Sequence, residues 1–549
     1  MKYDRKLPVL FTGLIVIAFS IILGSCLKDI RDLTNIRSAQ IEDDYNPEFA
    51  VPLLHANISA LDFANKFEVD DFIRIEEDYL VTILYKSNTW YGYARDFIQI
   101  PDQQYHLGPL TFNTGGSDSI RVTSNILFDE NLDYTINFLD GEETVFLDVK
   151  SGILVLNIVS SFPRSGQLEF TLPYAKKDNF QFAKTIPLDY HWPQISIQDT
   201  IDLTGIEFDL SKAGTTYNTV PVKFAITLNQ NSRFVHASDQ IQITTEFKDM
   251  EFNYIEGYLG ARDIPYSADT LKLSIFDGTD ASKVTFIDPK LKVNTYSSTG
   301  MPIRVDPPYI NSFSKSQGSL QLTGAVVASS IDVGYPKKTE IGDVIFTGII
   351  ADKDNSNIPD VINRMPKYID YDFIVHTNPD GKIYDNFALD TSFVKVNMEL
   401  ELPAFGRSEE WIFDFPVKVD PIDFDLKIIE EAELNLLIEN EFPVELAIQL
   451  YILDSTETII DSLLGKNNYL FAPATIGADY RTISTTTAST KILINSDRID
   501  HIGNMRKIRA LVYLSTNNKG QDDVKIFADS RLDLKLGLRT KLKVNLNDL

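Results

Sequence analysis

The residues best suited to metal chemistry lie in an oxygen-rich loop between positions 352 and 360. Asp352, Asp354 and Asp360 carry carboxylates, and Ser356 supplies a hydroxyl between them. Ca²⁺ is a hard cation that takes about six to eight oxygen ligands, so oxygens at alternate loop positions suit it. The alternative is a polar loop that caps a short helix through Ser356 or Asn357. We therefore expect either a calcium site or a helix cap here.

A second group of chemically useful side chains consists of aromatic residues. Trp90, Tyr91 and Tyr93 surround Gly92. Their rings could stack on the flat faces of sugars, which makes them a candidate ligand-binding site. Aromatic residues beside a glycine are also common in packing and at interfaces. Two other tryptophans, Trp192 and Trp411, lie near prolines and are predicted to belong to the core.

The sequence contains no recognisable catalytic motif. It has no nucleophile-elbow serine, no zinc-protease helix, no dinucleotide-binding glycine pattern and no phosphate-binding loop. The six histidines are scattered, with no two at a metal-ligand spacing. We expect a protein that is not an enzyme. A glycoside hydrolase is the remaining enzymatic alternative, because its two carboxylates need not be close in sequence.

The charge balance argues against nucleic acid as a partner. The chain has 549 residues, with 78 acidic and 51 basic side chains and a net charge of -27. A surface this negative repels phosphate backbones. The length exceeds that of one ordinary domain and predicts several.

The first twenty-five residues read as a secretory signal. Lys2, Arg5 and Lys6 precede an apolar run from position 9 to 23, which ends in Leu23-Gly24-Ser25-Cys26. A basic start, a short apolar stretch and small residues before the cut are typical of such signals. A transmembrane anchor is the alternative, although the apolar stretch is short for one.

The four residues before and including the single cysteine resemble the lipobox of bacterial lipoproteins. The resemblance implies that residues 1–25 are removed and that Cys26 carries acyl chains that anchor the protein in a membrane. Lys28 and Asp29 resemble the export signal of surface lipoproteins in Bacteroidota. That second resemblance implies an outer-membrane lipoprotein at the cell surface. A short charged tether without export information is the alternative.

The rest of the sequence predicts an all-β body. Short runs rich in Val, Ile, Tyr, Phe and Thr are bounded by turn residues, and the C-terminal segment alternates strictly from Leu532 onwards. A strand followed by a Phe-Pro corner occurs at 152–163 and again at 432–443, with a looser copy at 284–303. These segments resemble the immunoglobulin-like sandwich of late-embryogenesis-abundant proteins.

We therefore predict tandem β-sandwich modules on an N-terminal lipid tether. The predicted division is a signal peptide at 1–25, a lipidated tether at 26–48, a first module at 49–190, a second at 191–345 and a C-terminal β-sandwich region at 346–549.

The predicted role is that of a non-enzymatic binding or accessory subunit of an outer-membrane complex, with a β-barrel protein as its partner. A glycan-binding or adhesin-type surface lipoprotein is the alternative. The 352–360 loop further resembles the calcium-binding loops of extracellular repeats, with Ser356 in place of a carboxylate and Asn357 in place of a glycine.

Overall fold

The computed structural model describes residues 48–60, 73–87, 90–265, 269–276, 283–418, 429–462, 469–495, 498–499 and 507–542. Within these ranges almost all regular structure is antiparallel β-sheet, which confirms the predicted all-β class. None of the helices in this part of the chain is long and apolar enough to cross a membrane.

The first strands in chain order are β1 (Glu48–Ser59), β2 (Ile73–Ile75), β3 (Val81–Lys86), β4 (Trp90–Tyr93), β5 (Gln103–Thr111), β6 (Ser119–Arg121), β7 (Ile126–Thr135), β8 (Glu143–Ser160), β9 (Gly166–Lys177), β10 (Phe180–Leu188), β11 (Ile195–Asp202), β12 (Ile206–Asp209), β13 (Thr219–Leu228), β14 (Phe234–His236) and β15 (Gln240–Tyr258). The next are β16 (Asp263–Pro265), β17 (Asp269–Lys272), β18 (Lys283–Phe286), β19 (Lys290–Ser297), β20 (Ile303–Ser314), β21 (Gly318–Gln321), β22 (Ile331–Val333), β23 (Ile345–Ala351), β24 (Tyr368–Thr377), β25 (Asn386–Leu389) and β26 (Phe393–Pro403).

The last strands are β27 (Phe405–Lys418), β28 (Ile429–Asn440), β29 (Val444–Leu453), β30 (Ile459–Ser462), β31 (Tyr469–Phe471), β32 (Thr475–Ile476), β33 (Thr482–Ser484), β34 (Thr486–Ile494), β35 (Lys507–Thr516), β36 (Val524–Lys525) and β37 (Arg531–Leu542). The short helices are α1 (Ala94–Phe97), α2 (Ala325–Ala328), α3 (Ile358–Asn363) and α4 (Asn517–Gly520), with 3₁₀ turns at Ser274–Phe276 and Lys338–Glu340.

The first sandwich is a ten-stranded sheet folded into two layers. One layer holds β5, β15, β8 and β11, and the other holds β10, β9, β13 and β7. Strand β12 pairs with both β8 and β9 and so joins the layers at one edge. Alternate side chains of β8 and β9 are fully buried between the layers, as period-two alternation predicts.

The second sandwich consists of two six-stranded sheets. We call one the β26 sheet, with strands β2, β3, β4, β26, β19 and β23, and the other the β24 sheet, with strands β16, β17, β24, β20, β21 and β22. Trp90 in β4 meets Phe373 in β24 edge to face, with ring centroids 6.0 Å apart. The inner faces of the two sheets therefore pack against each other. Their buried residues form one continuous hydrophobic cluster with the core of the first sandwich.

The third group of strands also forms two sheets. One is a four-stranded sheet with the order β1, β37, β28 and β34. The other has seven strands: β18, β27, β35, β29 and β30 are neighbours in that order, β31 pairs with β29, and β36 pairs with β27. The chain passes from the first of these sheets to the second at Phe442-Pro443, between β28 and β29. The corner at Phe162-Pro163 likewise takes the chain from the β8 layer to the β9 layer. The two Phe-Pro corners therefore lie in different groups of sheets, and each takes the chain from one layer or sheet to another.

The sandwiches are nested along the chain rather than consecutive. Strand β1 pairs with β37 near the other end of the chain, β3 pairs with β26, and β8 pairs with β15. The predicted boundary at 190 falls between β10 and β11, which share one sheet, and residue 345 begins β23. The sheets thus do not follow the division into 49–190, 191–345 and 346–549. The strands of the first sandwich are instead inserted among those of the second, and the strands of the second among those of the third group.

Candidate functional site

The outer face of the β26 sheet carries a row of aromatic and basic side chains across four strands. Lys395 in β26 is in register with Tyr91 in β4 on one side and with Tyr296 in β19 on the other. Tyr296 is in turn in register with Phe346 in β23. We call this set of four residues the aromatic row. Because paired residues in adjacent strands point to the same face, the four side chains form a continuous surface.

The ring geometry shows that this surface is ordered. The rings of Tyr91 and Tyr93 stack with centroids 5.9 Å apart and an interplanar angle of 8°, and Phe393 lies 5.9 Å from Tyr91. Tyr296 and Phe346 lie 5.1 Å apart. Tyr91 is 44% exposed and Phe346 is 56% exposed. A flat and partly exposed aromatic surface is therefore available to a ligand.

Two glycines let large rings lie along their own strands. A side chain at Gly92 would place its Cβ 2.7 Å from the Trp90 ring, and one at Gly348 would place its Cβ 2.8 Å from the Phe346 ring. Trp90 faces inward and belongs to the core, whereas Phe346 faces outward. Gly348 thus makes room for the Phe346 ring at one end of the aromatic row, and Gly92 makes room for the Trp90 ring on the core side of β4.

Lys395 lies in the middle of the aromatic row, between two rings. Its Nζ is 4.7 Å from the centroid of Tyr296 and 5.7 Å from that of Tyr91. A cation near a ring face is attracted by the ring quadrupole. At the β4 end of the surface, the guanidinium of Arg95 lies 4.8 Å from the Tyr93 ring. The aromatic surface is therefore cationic.

The same face of β26 becomes polar beyond Lys395. Burial, followed by a hydrogen bond with Glu401, raises the pKa of Glu399. Burial also acts to raise the pKa of Glu401, but hydrogen bonds from Arg74 and Lys292 outweigh it and lower that pKa. The Arg74 guanidinium is 2.7 Å from Glu401 and 3.7 Å from Glu399. Glu401 is only 4% exposed. Glu399 and Glu401 therefore form an internal charge network with Arg74 beside the aromatic surface.

The fold places the three residues of the predicted aromatic site on opposite faces of the β26 sheet. Tyr91 and Tyr93 face outward, and Trp90 packs in the core. The sequence pattern did not reveal Phe393, Lys395, Tyr296 and Phe346, which lie more than 200 positions away. Alternation in β19, β23 and β26 was the available signal, but only the strand pairing brings these side chains together.

The predicted calcium ligands are not gathered into a metal site. In the described part of the chain, no group of three or more His, Cys, Asp or Glu side chains is placed to hold a metal ion. One carboxylate oxygen of Asp352 instead accepts hydrogen bonds from the backbone amides of Asp354, at 3.0 Å, and Asn355, at 3.2 Å. The Ser356 hydroxyl accepts one from the amide of Ile358, the first residue of α3, at 3.3 Å. Asp360 lies in the first turn of α3. The Ser356 hydroxyl therefore contacts the start of α3, whereas Asn357, the residue before the helix, makes no side-chain capping hydrogen bond.

Cys26, Lys28 and Asp29 lie outside the described residues. Trp192, predicted to be in the core, is 85% exposed. It sits in the short connection between β10 and β11, where neither layer of the first sandwich covers it. Trp411 does pack inside, with its ring 6.4 Å from Phe286.

Comparison with known proteins yields only remote structural similarity. No family model and no curated protein matches the sequence. A presumed secreted protein from Parabacteroides distasonis shows 11% identity and a TM-score of 0.26 over 51% of this chain and 82% of its own. The VP2 protein of infectious bursal disease virus shows 10% identity and a TM-score of 0.14, covering 74% of this chain and 78% of that one. PNGase F, a glycosylasparaginase from Flavobacterium meningosepticum, shows 8% identity and a TM-score of 0.14 over 55% of this chain and 96% of its own. TM-scores this low carry no argument about function.

Proposed function

We propose that this chain is a lipid-anchored surface protein of the outer membrane that binds saccharides on the outer face of the β26 sheet and does not transform them. The aromatic row is the observation that carries the proposal. Sugar rings have apolar faces, and partly exposed aromatic rings on a rigid sheet offer a flat surface for them at little entropic cost. Asn294, in the adjacent row, adds an amide group for hydroxyls.

Saccharide binding is tested by calorimetry with a panel of neutral and acidic oligosaccharides. Tyr91→Ala removes a ring from the aromatic row. Tyr309→Ala is the matched control, because Tyr309 is also 44% exposed but lies in β20 of the opposite β24 sheet. We expect Tyr91→Ala to weaken binding about tenfold, as loss of a stacking residue does, and Tyr309→Ala to leave it unchanged. Binding of no saccharide, or loss of binding in the Tyr309 variant alone, would contradict the proposal.

The anchor is supported by the basic, apolar, Leu-Gly-Ser-Cys order of the first twenty-six residues. Several acyl chains give stable membrane attachment at about 0.8 kcal/mol for each buried methylene. Cys26→Ala should leave the precursor uncut and move the protein out of the membrane fraction. An unmodified Cys26 thiol in the mass spectrum of the wild-type protein would disprove lipidation.

Surface display is supported by Lys28 and Asp29. Protease added to intact cells should then digest the protein. If the protein survives in intact cells and is digested only after lysis, it faces the periplasm. Purified protein treated in parallel controls for intrinsic resistance of the fold.

An accessory role beside a β-barrel protein is the second candidate, and the edge strand β23 favours it. Strand β23 is the last strand of the β26 sheet, and its outward Phe346 and Ile350 are 56% and 42% exposed. Exposed apolar edge strands can pair with a strand of another protein. A stoichiometric barrel protein that copurifies with the wild type and is lost with Ile350→Lys would favour this role.

A further inference from the structure

The cation in the aromatic row has no carboxylate partner in the described part of the chain. Among the described residues, no acidic oxygen lies within 4.0 Å of the Lys395 Nζ. Arg74 and Lys292 lie beside Glu401 on the same face of the sheet and differ from Lys395, because both of them pair with Glu401. Lys395 therefore keeps its charge available on the partly exposed part of the face.

The β26 sheet also departs from the charge of the whole chain. Its six strands contain five basic residues and two acidic ones, namely Arg74, Lys86, Lys290, Lys292 and Lys395 against Glu399 and Glu401. The chain as a whole carries a net charge of -27. Because Arg74, Lys290 and Lys292 are paired with Glu76, Asp288 and Glu401, the positive charge without an ion pair among the described residues of this sheet is that of Lys86 and Lys395. Such a charge can select an anionic ligand locally, because distant charges are screened at physiological salt.

The spacing of the aromatic row fits one saccharide chain that meets two rings and a cation. Tyr91 and Tyr296 are separated by β26, which places them about 10 Å apart from the usual inter-strand distance. Lys395 lies between them. Two sugars of one chain can therefore stack on the tyrosines while a substituent between them reaches the ammonium group.

We propose that the bound saccharide is acidic and that Lys395 pairs with the carboxylate of a uronic acid residue. This proposal rests on the proposed saccharide binding and adds the ligand class. A charge-assisted hydrogen bond to a half-buried ammonium gives specificity that stacking alone does not supply. A neutral sugar would leave this ammonium without a counter-charge.

The experiment compares each acidic oligosaccharide with its own methyl ester, which keeps the sugar backbone and removes the charge. Galacturonate oligomers, mannuronate oligomers and hyaluronan fragments are titrated into the full-length protein by calorimetry at physiological salt. We expect at least one acid form to bind about tenfold tighter than its ester, as loss of one charge-assisted hydrogen bond implies.

Variants identify the cation responsible. Lys395→Met should abolish the preference for the acid form, and Lys395→Arg should retain it. Lys223→Met is the matched control, because Lys223 is also a strand lysine, lies in β13 of the first sandwich and pairs with Asp129 at 3.3 Å. Its preference should equal that of the wild type. Circular dichroism confirms that each variant is folded.

Four results would overturn the inference. Equal binding of acid and ester forms would show that charge is not recognised, and saccharide binding would stand without it. Binding of neutral oligosaccharides alone would have the same meaning. A preference for acid forms that persists in Lys395→Met would place recognition elsewhere. Failure of every saccharide, neutral or acidic, would remove the proposed function together with this inference.

Discussion

At the scale of single residues, Glu143 is a nearly buried carboxylate that is held by two hydrogen-bond donors. It lies in β8 and is 8% exposed, and its carboxylate accepts a hydrogen bond from the Lys382 ammonium and one of 2.6 Å from the Tyr384 hydroxyl. Both partners lie in the connection from β24 to β25. Glu143 therefore ties the first sandwich to the second. The hydrogen bond from Lys382, followed by that from Tyr384, lowers its pKa.

The first prediction follows from that pKa. A carboxylate whose pKa is lower in the folded than in the unfolded state stabilises the fold above its unfolded pKa, near 4.5. The contribution disappears as the pH falls through the lowered value. Glu143→Gln should therefore lower the free energy of unfolding by about 1 kcal/mol at pH 7, since Lys382 is half exposed and the pair is screened.

The measurement is urea unfolding of wild type and Glu143→Gln between pH 3 and pH 7, a range that includes the unfolded pKa near 4.5. The difference in unfolding free energy between the two proteins should shrink as the pH decreases. A difference that is constant or grows towards acid would show that the ion pair is not what Glu143 contributes.

At the scale of elements, β28 shows how alternation sorts side chains between core and solvent. Leu434 and Ile438 are 2% and 1% exposed, and Leu437 is 42% exposed. Leu436 lies on the same side as the two buried residues and is half-buried. Leu434 and Ile438 therefore mark the buried side of this strand. Leu436 is less deeply buried than its two neighbours on that side.

The second prediction compares two leucines of β28. Leu434→Asp places a carboxylate in the core and should lower the free energy of unfolding by about 3 kcal/mol or more. Leu437→Asp makes the same chemical change on the exposed side and should cost under about 1 kcal/mol. Thermal unfolding with a probe in the third sandwich measures both. Equal losses in the two variants would contradict the assignment of faces.

The predictability of the elements from sequence depends on how local their determinants are. Alternation identified strands such as β37 and β28, because period two is written in consecutive residues. The aromatic site was only half recognised, since Tyr91 and Tyr93 are two positions apart in sequence whereas Lys395 and Tyr296 reach them through strand pairing. Trp192 was misplaced because proximity to a proline says nothing about which layer covers a loop.

At the scale of the whole molecule, β1 closes the fold. It pairs with β37 from Glu48 to Ser59, with one register shift between Pro52 and Leu54. The strands of the first and second sandwiches lie between β1 and β37 in the sequence. The third group of sheets therefore needs β1 as well as the strands that follow the second sandwich. The predicted consecutive modules missed this nesting, because pairing between distant strands leaves no periodic signal in the sequence.

The third prediction concerns a chain that lacks residues 48–59. Strand β37 would then lose one neighbour, and its backbone groups on that side would face water. Hydrogen exchange should become faster in β37 and β28 and remain unchanged in β8 and β9. The full-length protein is the reference. Unchanged protection in β37 would show that β1 contributes nothing to the third sandwich.

The central claim, that the outer face of the β26 sheet is the ligand-binding surface, is tested most directly by hydroxyl-radical footprinting with and without the tightest-binding oligosaccharide. The account predicts that the ligand protects Tyr91, Tyr296 and Phe346 and leaves Tyr309 and Trp192 as reactive as before. Protection of Tyr309 or Trp192, with the three residues of the aromatic row unprotected, would contradict it.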